Sequence, residues 1–362
     1  MLILTDVMLA QVAKAFWSLW DVRNVERAYR VRSAIYHHDL ARNHETLGMW
    51  GLKRYPIKTN SFGFKDREIR EIPLQSERRR ILLIGDSFTE GIGVRFEETY
   101  AGLIAEALKP RNVEVLNAAV SSYSPAIYYR KTKYLLEDIG LGFDELVVFL
   151  DLSDIHDEAT FYELDQDENV IAVSDWPEQL ISRNQPASDR ERFMSVLQNN
   201  SVVLRFLSAL VERTLAQDQE YGACRKMDKA ALAAMTNLER SLWTINDTVF
   251  EKYGKAGLEK ARGNMDRLLT LLQRHRKKLT LVVYPWPDQI MNHDLRSKQV
   301  KFWKRWTEEK EVPFINLFPA FIIEENPETT IGRYFIPCDM HLNEAGHEFF
   351  AEAFLREWKQ FQ

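Results

Sequence analysis

An α/β fold built on a central parallel sheet is predicted by three observations. The run Ile81-Leu82-Leu83-Ile84 is apolar at every position, the pattern of a strand buried on both faces. Further strand-like, largely apolar stretches at 113–116, 145–150 and 279–284 alternate with helix-length stretches, as in parallel α/β sheets. Hydrophobic residues make up 45% of the 362 positions and aromatics 12%, enough for a large core and far from a disordered composition. That length accommodates either two domains or one enlarged α/β domain.

The net charge of −5 argues against a dedicated nucleic-acid binder. Charge is uneven along the chain: residues 1–80 hold 15 Lys and Arg against 9 Asp and Glu, so the remainder is strongly acidic. Two cysteines, Cys224 and Cys338, stand far apart, with neither a disulfide framework nor zinc-ligand spacing, and do not fix a redox compartment.

Residues 1–22 are apolar but interrupted by Asp6, Gln11 and Lys14, which is not the pattern of a spanning helix. No basic start with a small-residue cleavage site marks a signal peptide, so the default compartment is cytoplasmic. A peripheral or exported location follows instead if an anchor lies upstream. Leu4, Met8, Val12, Ala15 and Leu19 fall near helical spacing, with Arg23, Arg27, Arg30 and Arg32 after them. Two readings stand: a helix packed on the rest of the protein, or one lying on an anionic membrane surface with Trp17 and Trp20 at the interface.

Residues 33–80 read as an irregular lead-in, so that 1–79 form an N-terminal extension. His37, His38 and His44 lack companions at ligand spacing and read as packing or surface residues. Thr59-Asn60-Ser61-Phe62-Gly63-Phe64 reads as a turn between aromatic anchors beside the following strand.

The strand at 81–84 stops at Gly85, and Asp86-Ser87 follow where a parallel strand turns into a helix. Ligands of open α/β sheets bind at the carboxyl ends of strands, so a hydroxyl here faces a cleft. Gly91 and Gly93 do not cradle phosphate: the P-loop spacing and its lysine are absent, and the dinucleotide fingerprint lacks its third glycine. A helix at 98–108 and a strand at 113–116 come next, then Asn117-Ala118-Ala119-Val120-Ser121-Ser122-Tyr123. The strand at 145–150 runs into Asp151-Leu152-Ser153-Asp154-Ile155-His156-Asp157-Glu158, whose acidic and histidine cluster reads as a solvated loop in preference to a metal site.

Residues 160–257 read as a helical insertion, with a hairpin turn at Asp165-Gln166-Asp167-Glu168-Asn169 and helices at 201–217 and 230–242. The α/β pattern resumes with a helix at 257–276 and a strand at 279–284, closed by Pro285-Trp286-Pro287. A helix at 295–310 and a strand at 313–317 follow. At the end, Cys338-Asp339-Met340-His341-Leu342-Asn343 offers a base and an acid to orient it, and Asn343 caps a helix at 344–358.

Gly85-Asp86-Ser87-Phe88 together with Asp339-Met340-His341-Leu342-Asn343 resembles the SGNH (GDSL-type) hydrolase and acyltransferase superfamily, over roughly residues 80–160 and 275–360. The resemblance implies a flavodoxin-like three-layer α/β/α sandwich over residues 80–362. It also implies Ser87 as nucleophile, His341 as base and Asp339 as its orienting acid. The oxyanion hole falls to Ser87, Ser122 and Ser153, with Asp86, Asp154 and Trp286 near the substrate. Four departures stand out. Ser122 replaces a usual glycine, Ser153 a usual asparagine, and Asp151 another glycine; the Asp-x-His spacing is the less common one, shared with some polysaccharide acyltransferases.

The expected chemistry is cleavage of a small-molecule or glycan acyl ester through an acyl-serine, with no metal or organic cofactor. The same side chains serve transfer of the acyl group to a sugar hydroxyl. A non-catalytic binding or assembly protein on the same scaffold is the third reading, prompted by Ser122 and Ser153.

Overall fold

The structure, a computed structural model, describes residues 5–6, 8–10, 29–50, 53–174, 201–203, 224–322 and 326–361. Most of the expected N-terminal helix and of the helix at 201–217 lies outside these. Among the described residues no helix is long and apolar enough to cross a membrane.

The lead-in is not irregular, which corrects the expectation for residues 33–80. Strands β1 (Arg30–Ser33) and β2 (His37–Leu40) form an antiparallel hairpin. Strands β3 (Glu45–Trp50), β4 (Lys53–Thr59) and β5 (Lys65–Asp66) form an antiparallel sheet in that order. In β4, Tyr55, Ile57 and Thr59 are buried while Arg54 and Pro56 are exposed, the alternation of a half-buried strand. Pro56 lies opposite Leu47 in mid-strand, where a proline normally argues against a strand.

The central sheet comprises β6 (Arg79–Ile84), β7 (Val113–Asn117), β8 (Glu145–Leu150), and, after a short hairpin of β9 (Tyr162–Leu164) and β10 (Val170–Ala172), β11 (Lys278–Val283) and β12 (Phe314–Asn316). All five are parallel, in the order β12-β11-β8-β6-β7. That is a doubly wound order, and its direction reverses between β6 and β8, where ligands of such sheets bind.

The helices used below are α1 (Ser87–Glu90), α2 (Tyr100–Leu108), α3 (Pro125–Lys133), α4 (Leu152–Thr160), α5 (Lys229–Met235), α6 (Glu239–Leu242), α7 (Lys255–Arg274), α8 (Pro287–Met291), α9 (Lys298–Lys310), α10 (Pro327–Tyr334) and α11 (Glu344–Trp358). Helix α7 packs on α3 and α4 and meets α9 through a Trp306–Asp266 hydrogen bond. Helix α2 packs on α11, where Tyr100 and Phe350 stack with ring centroids 4.2 Å apart. The run Asp151–Glu158, expected as a solvated loop, instead enters helix α4. Asp151 at its N-cap and Asp154 three residues on form a reciprocal capping box. Cys224 and Cys338 are joined in a disulfide across 114 residues, a pairing the sequence did not suggest.

Candidate active site

The site grows from the carboxyl end of β6. Asp86 caps the short helix α1, its side chain accepting from the Phe88 N–H at 3.0 Å, so Ser87 becomes the first residue of the helix. The turn runs tight against β8: a Cβ on Gly85 would meet Thr89 Oγ1 at 2.1 Å and the Phe149 carbonyl at 3.0 Å.

The partner comes from the loop entering α11. Asn343 caps that helix through the Gly346 N–H at 2.9 Å, and its amide donates to the carbonyls of Arg333 and Phe335, so the loop is tied at both sides. Asp339 Oδ1 accepts from the His341 backbone N–H at 2.9 Å and faces its Nδ1 at 2.5 Å. His341 Nε2 then lies 2.8 Å from Ser87 Oγ. A carboxylate accepts only, so this network assigns the imidazole proton to Nδ1 and leaves the Nε2 lone pair on the serine hydroxyl. The structure thus brings together the three residues, 254 apart at the extremes, that the sequence paired.

Trp50, from β3, was not anticipated. Its indole N–H donates to the other oxygen of Asp339, and its ring stands edge-on to His341 at 5.3 Å and 88°. Phe88 covers the imidazole at 4.9 Å. Trp50 carried no sequence signal, because it lies in a segment with no motif.

Ser122 holds φ at +62°, the left-handed region that favours glycine. Its loop is held by a buried polar network from the N-terminal hairpin. The Ser121 N–H donates to Glu90 Oε2 at 2.7 Å, and Arg30 grips both oxygens of Glu90 at 3.0 and 3.1 Å. His38 Nε2 meets the Ser121 carbonyl at 2.8 Å, and Lys131 donates to the Ala118 carbonyl and to Asp39. Burial pushes the His38 imidazole well below its ordinary value, so it stands neutral. His37 and His38 are packing residues, as expected, their Nδ1 atoms 2.8 Å apart.

Ser153 departs from the role expected of it. Its N–H and its hydroxyl both donate to Asp151 Oδ1, each at 2.7 Å, so neither points at a reacting carbonyl. The physical reason is Asp151 itself: as N-cap it collects the donors of the first turn. Trp286 is buried; its indole N–H donates to Asp151 Oδ2 at 2.7 Å and its ring stacks on Phe88.

Asp86, Asp151 and Asp154 are all buried, with carboxylate oxygens within 4.8 Å of one another. Asp86 Oδ2 lies 3.1 Å from Ser87 Oγ, whose one proton faces His341 Nε2, and Asp154 Oδ2 accepts from Tyr128 and from the Asp151 N–H. Asp154 Oδ1 has no hydrogen-bond partner. Burial, then mutual repulsion, pushes Asp86 and Asp154 well above the usual carboxylate range. Burial also raises Asp151, against the hydrogen bonds from Ser153 and Trp286. The rest of the cluster expected at 154–158 is dispersed: His156 pairs with Asp157 at 3.3 Å, and Glu158 accepts from Ser124, Ala126 and Asn264.

No protein-family model matches the chain, and no curated protein matches it. Among solved structures the chain is similar to the psychrotrophic esterase EstA from Pseudoalteromonas sp., at 12% identity over 78% of this chain and 98% of that one, with a TM-score of 0.38. It is similar to a Desulfitobacterium hafniense DCB-2 protein assigned to the lipolytic G-D-S-L family, at 10% identity over 77% and 99%, with a TM-score of 0.40. The acetylxylan esterase Axe2 from Geobacillus stearothermophilus is similar at 13% identity over 79% and 96%, with a TM-score of 0.40. The likeness is one of fold, and the α/β architecture stands on this chain's own strand order.

Proposed function

We propose that this chain is an SGNH-type serine hydrolase that cleaves an acyl ester through a covalent acyl-Ser87. The observation that carries the reading is the relay itself: Ser87 Oγ at 2.8 Å from His341 Nε2, with His341 Nδ1 at 2.5 Å from Asp339. Ser87 Oγ attacks the ester carbonyl while His341 Nε2 takes its proton, and Asp339 stabilises the imidazolium. The tetrahedral oxyanion takes hydrogen bonds from the backbone N–H groups of Ser87, at the open N-terminal turn of α1, and of Ser122. Collapse breaks the C–O bond, and the alkoxide leaves with the proton from Nε2. Water then attacks the acyl carbon, gives a proton to His341, and releases the acid as that proton returns to Ser87.

A fluorophosphonate probe tests the reading, with p-nitrophenyl acetate turnover alongside it. Wild type is expected to be labelled at Ser87, while Ser87→Ala is not labelled and loses about a thousandfold or more in ester turnover. Folded wild type that neither labels nor hydrolyses esters overturns it.

A further inference from the structure

We propose that Trp50 is a positioning residue for the Asp339–His341 pair, contributed by the N-terminal sheet. The inference rests on the hydrolase reading above and adds a part of the chain to it. Asp339 is fully buried, so each carboxylate oxygen needs a donor. The oxygen Oδ1 is occupied by the backbone N–H and Nδ1 of His341. Oδ2 accepts from the Trp50 indole N–H.

Two anchored oxygens fix the carboxylate plane, and the plane fixes the direction of the Nδ1 hydrogen bond. With Oδ2 unpaired, the carboxylate is free to turn about its last torsion, and the imidazole turns with it. The Trp50 ring also stands edge-on at 5.3 Å to His341, and Phe88 packs on it at 4.9 Å, so two aromatic rings contact the imidazole. The strand end that presents Trp50 is itself pinned to the same loop. Lys53, the partner of Trp50 in the β3–β4 ladder, forms an ion pair with Glu344 at the start of α11, three residues past His341. The N-terminal sheet therefore braces the acid and base from outside the α/β domain.

Two replacements separate the hydrogen bond from ring packing. Trp50→Phe removes the N–H and part of the ring; benzothienyl-alanine at position 50 keeps the bicyclic shape and removes only the N–H. The rate constant of fluorophosphonate labelling, and kcat and KM for p-nitrophenyl acetate, are measured for both. Each is expected to lose roughly tenfold or more in labelling rate and kcat, with KM within about twofold, as for a lost hydrogen bond to a charged group. An isostere that matches wild type, whatever Phe does, overturns the inference, because packing alone then explains the residue.

Proton NMR supplies a readout independent of turnover. The far-downfield Nδ1–H resonance of His341, identified by its disappearance in Asp339→Asn, is expected to move in the isostere variant. If wild type proves unreactive, the hydrolase reading fails and this resonance alone judges Trp50; a resonance unmoved by the isostere overturns the inference.

Discussion

Ser153 gives both of its donors to a single oxygen of Asp151, its N–H and its hydroxyl each at 2.7 Å. An oxyanion donor must be free before the reaction, since its value lies in being aimed where charge develops. Ser153→Ala should therefore lower kcat on p-nitrophenyl acetate by less than about fivefold, far short of the roughly 10²–10³ that removal of such a donor costs. A hundredfold loss in a variant with unchanged melting temperature would show that the hydroxyl swings into the hole.

Ser122 makes the opposite case. Its backbone sits at φ +62°, where a side chain costs about 1 kcal/mol relative to glycine. The neighbouring Ser121 is fixed by Glu90 and His38, so the loop does not relax to escape the strain. Ser122→Gly is expected to keep kcat within about twofold and to raise stability by up to ~1 kcal/mol in urea. A large loss of activity would mean that the hydroxyl, not the main chain, serves the substrate.

The sheet was legible because strands such as 81–84 and 146–150 carry unbroken apolar runs, and elements such as 145–150 and 344–358 coincide with the strand and helix found. The convergence of Ser87 with Asp339 and His341 was legible through the family resemblance of the two short motifs that carry them, and the structure brings the three within hydrogen-bond reach. What escaped has physical causes. Pro56 masked β4, and with it the sheet that presents Trp50. The run after Asp151 looked solvated because its carboxylates are read as charges, whereas in the fold Asp151 and Asp154 cap a helix and are buried. Long-range pairings such as Arg30 with Glu90, or Cys224 with Cys338, leave no local pattern at all.

Asp154 is the source of a pH dependence. Its pKa lies well above the ordinary 3.8, through burial and the nearby charges of Asp86 and Asp151. A carboxyl raised in the folded state contributes stability that is complete below its unfolded pKa and is lost as pH rises through the folded one. Through this group, wild type should thus lose stability progressively from about pH 4 upward. In Asp154→Asn, the amide oxygen keeps the bonds from Tyr128 and the Asp151 N–H, and the amide nitrogen replaces the unpartnered Oδ1. The variant should be more stable than wild type at pH 8 and show a flatter melting profile by calorimetry. A variant that melts lower at pH 8 contradicts the assignment.

Cys338 stands one residue before Asp339, holds φ at +62°, and is bridged to Cys224 beside Ala231 and Ala234 of α5. The bridge closes a loop of 114 residues, for which the chain-entropy account gives about 4–5 kcal/mol, with strain and denatured-state structure able to reduce it. The loop around Asp339 also has bonds of its own, Asp339 N–H to the Ile336 carbonyl at 3.0 Å and Ile336 N–H to the His341 carbonyl at 2.9 Å. Reduction is therefore expected to act on global stability more than on the site. Dithiothreitol should lower the melting temperature by on the order of 5–10 °C. Labelling of Ser87 at 25 °C should slow by less than about tenfold, because those local bonds survive. The paired variant Cys224→Ser/Cys338→Ser should melt at the lower temperature whether or not reductant is present. Alkylation followed by mass measurement counts the free thiols, and an unchanged melt with both thiols alkylated would show that the bridge contributes nothing. Protein recovered from an oxidising compartment should carry no free thiol, since such bridges persist there and are reduced in the cytosol.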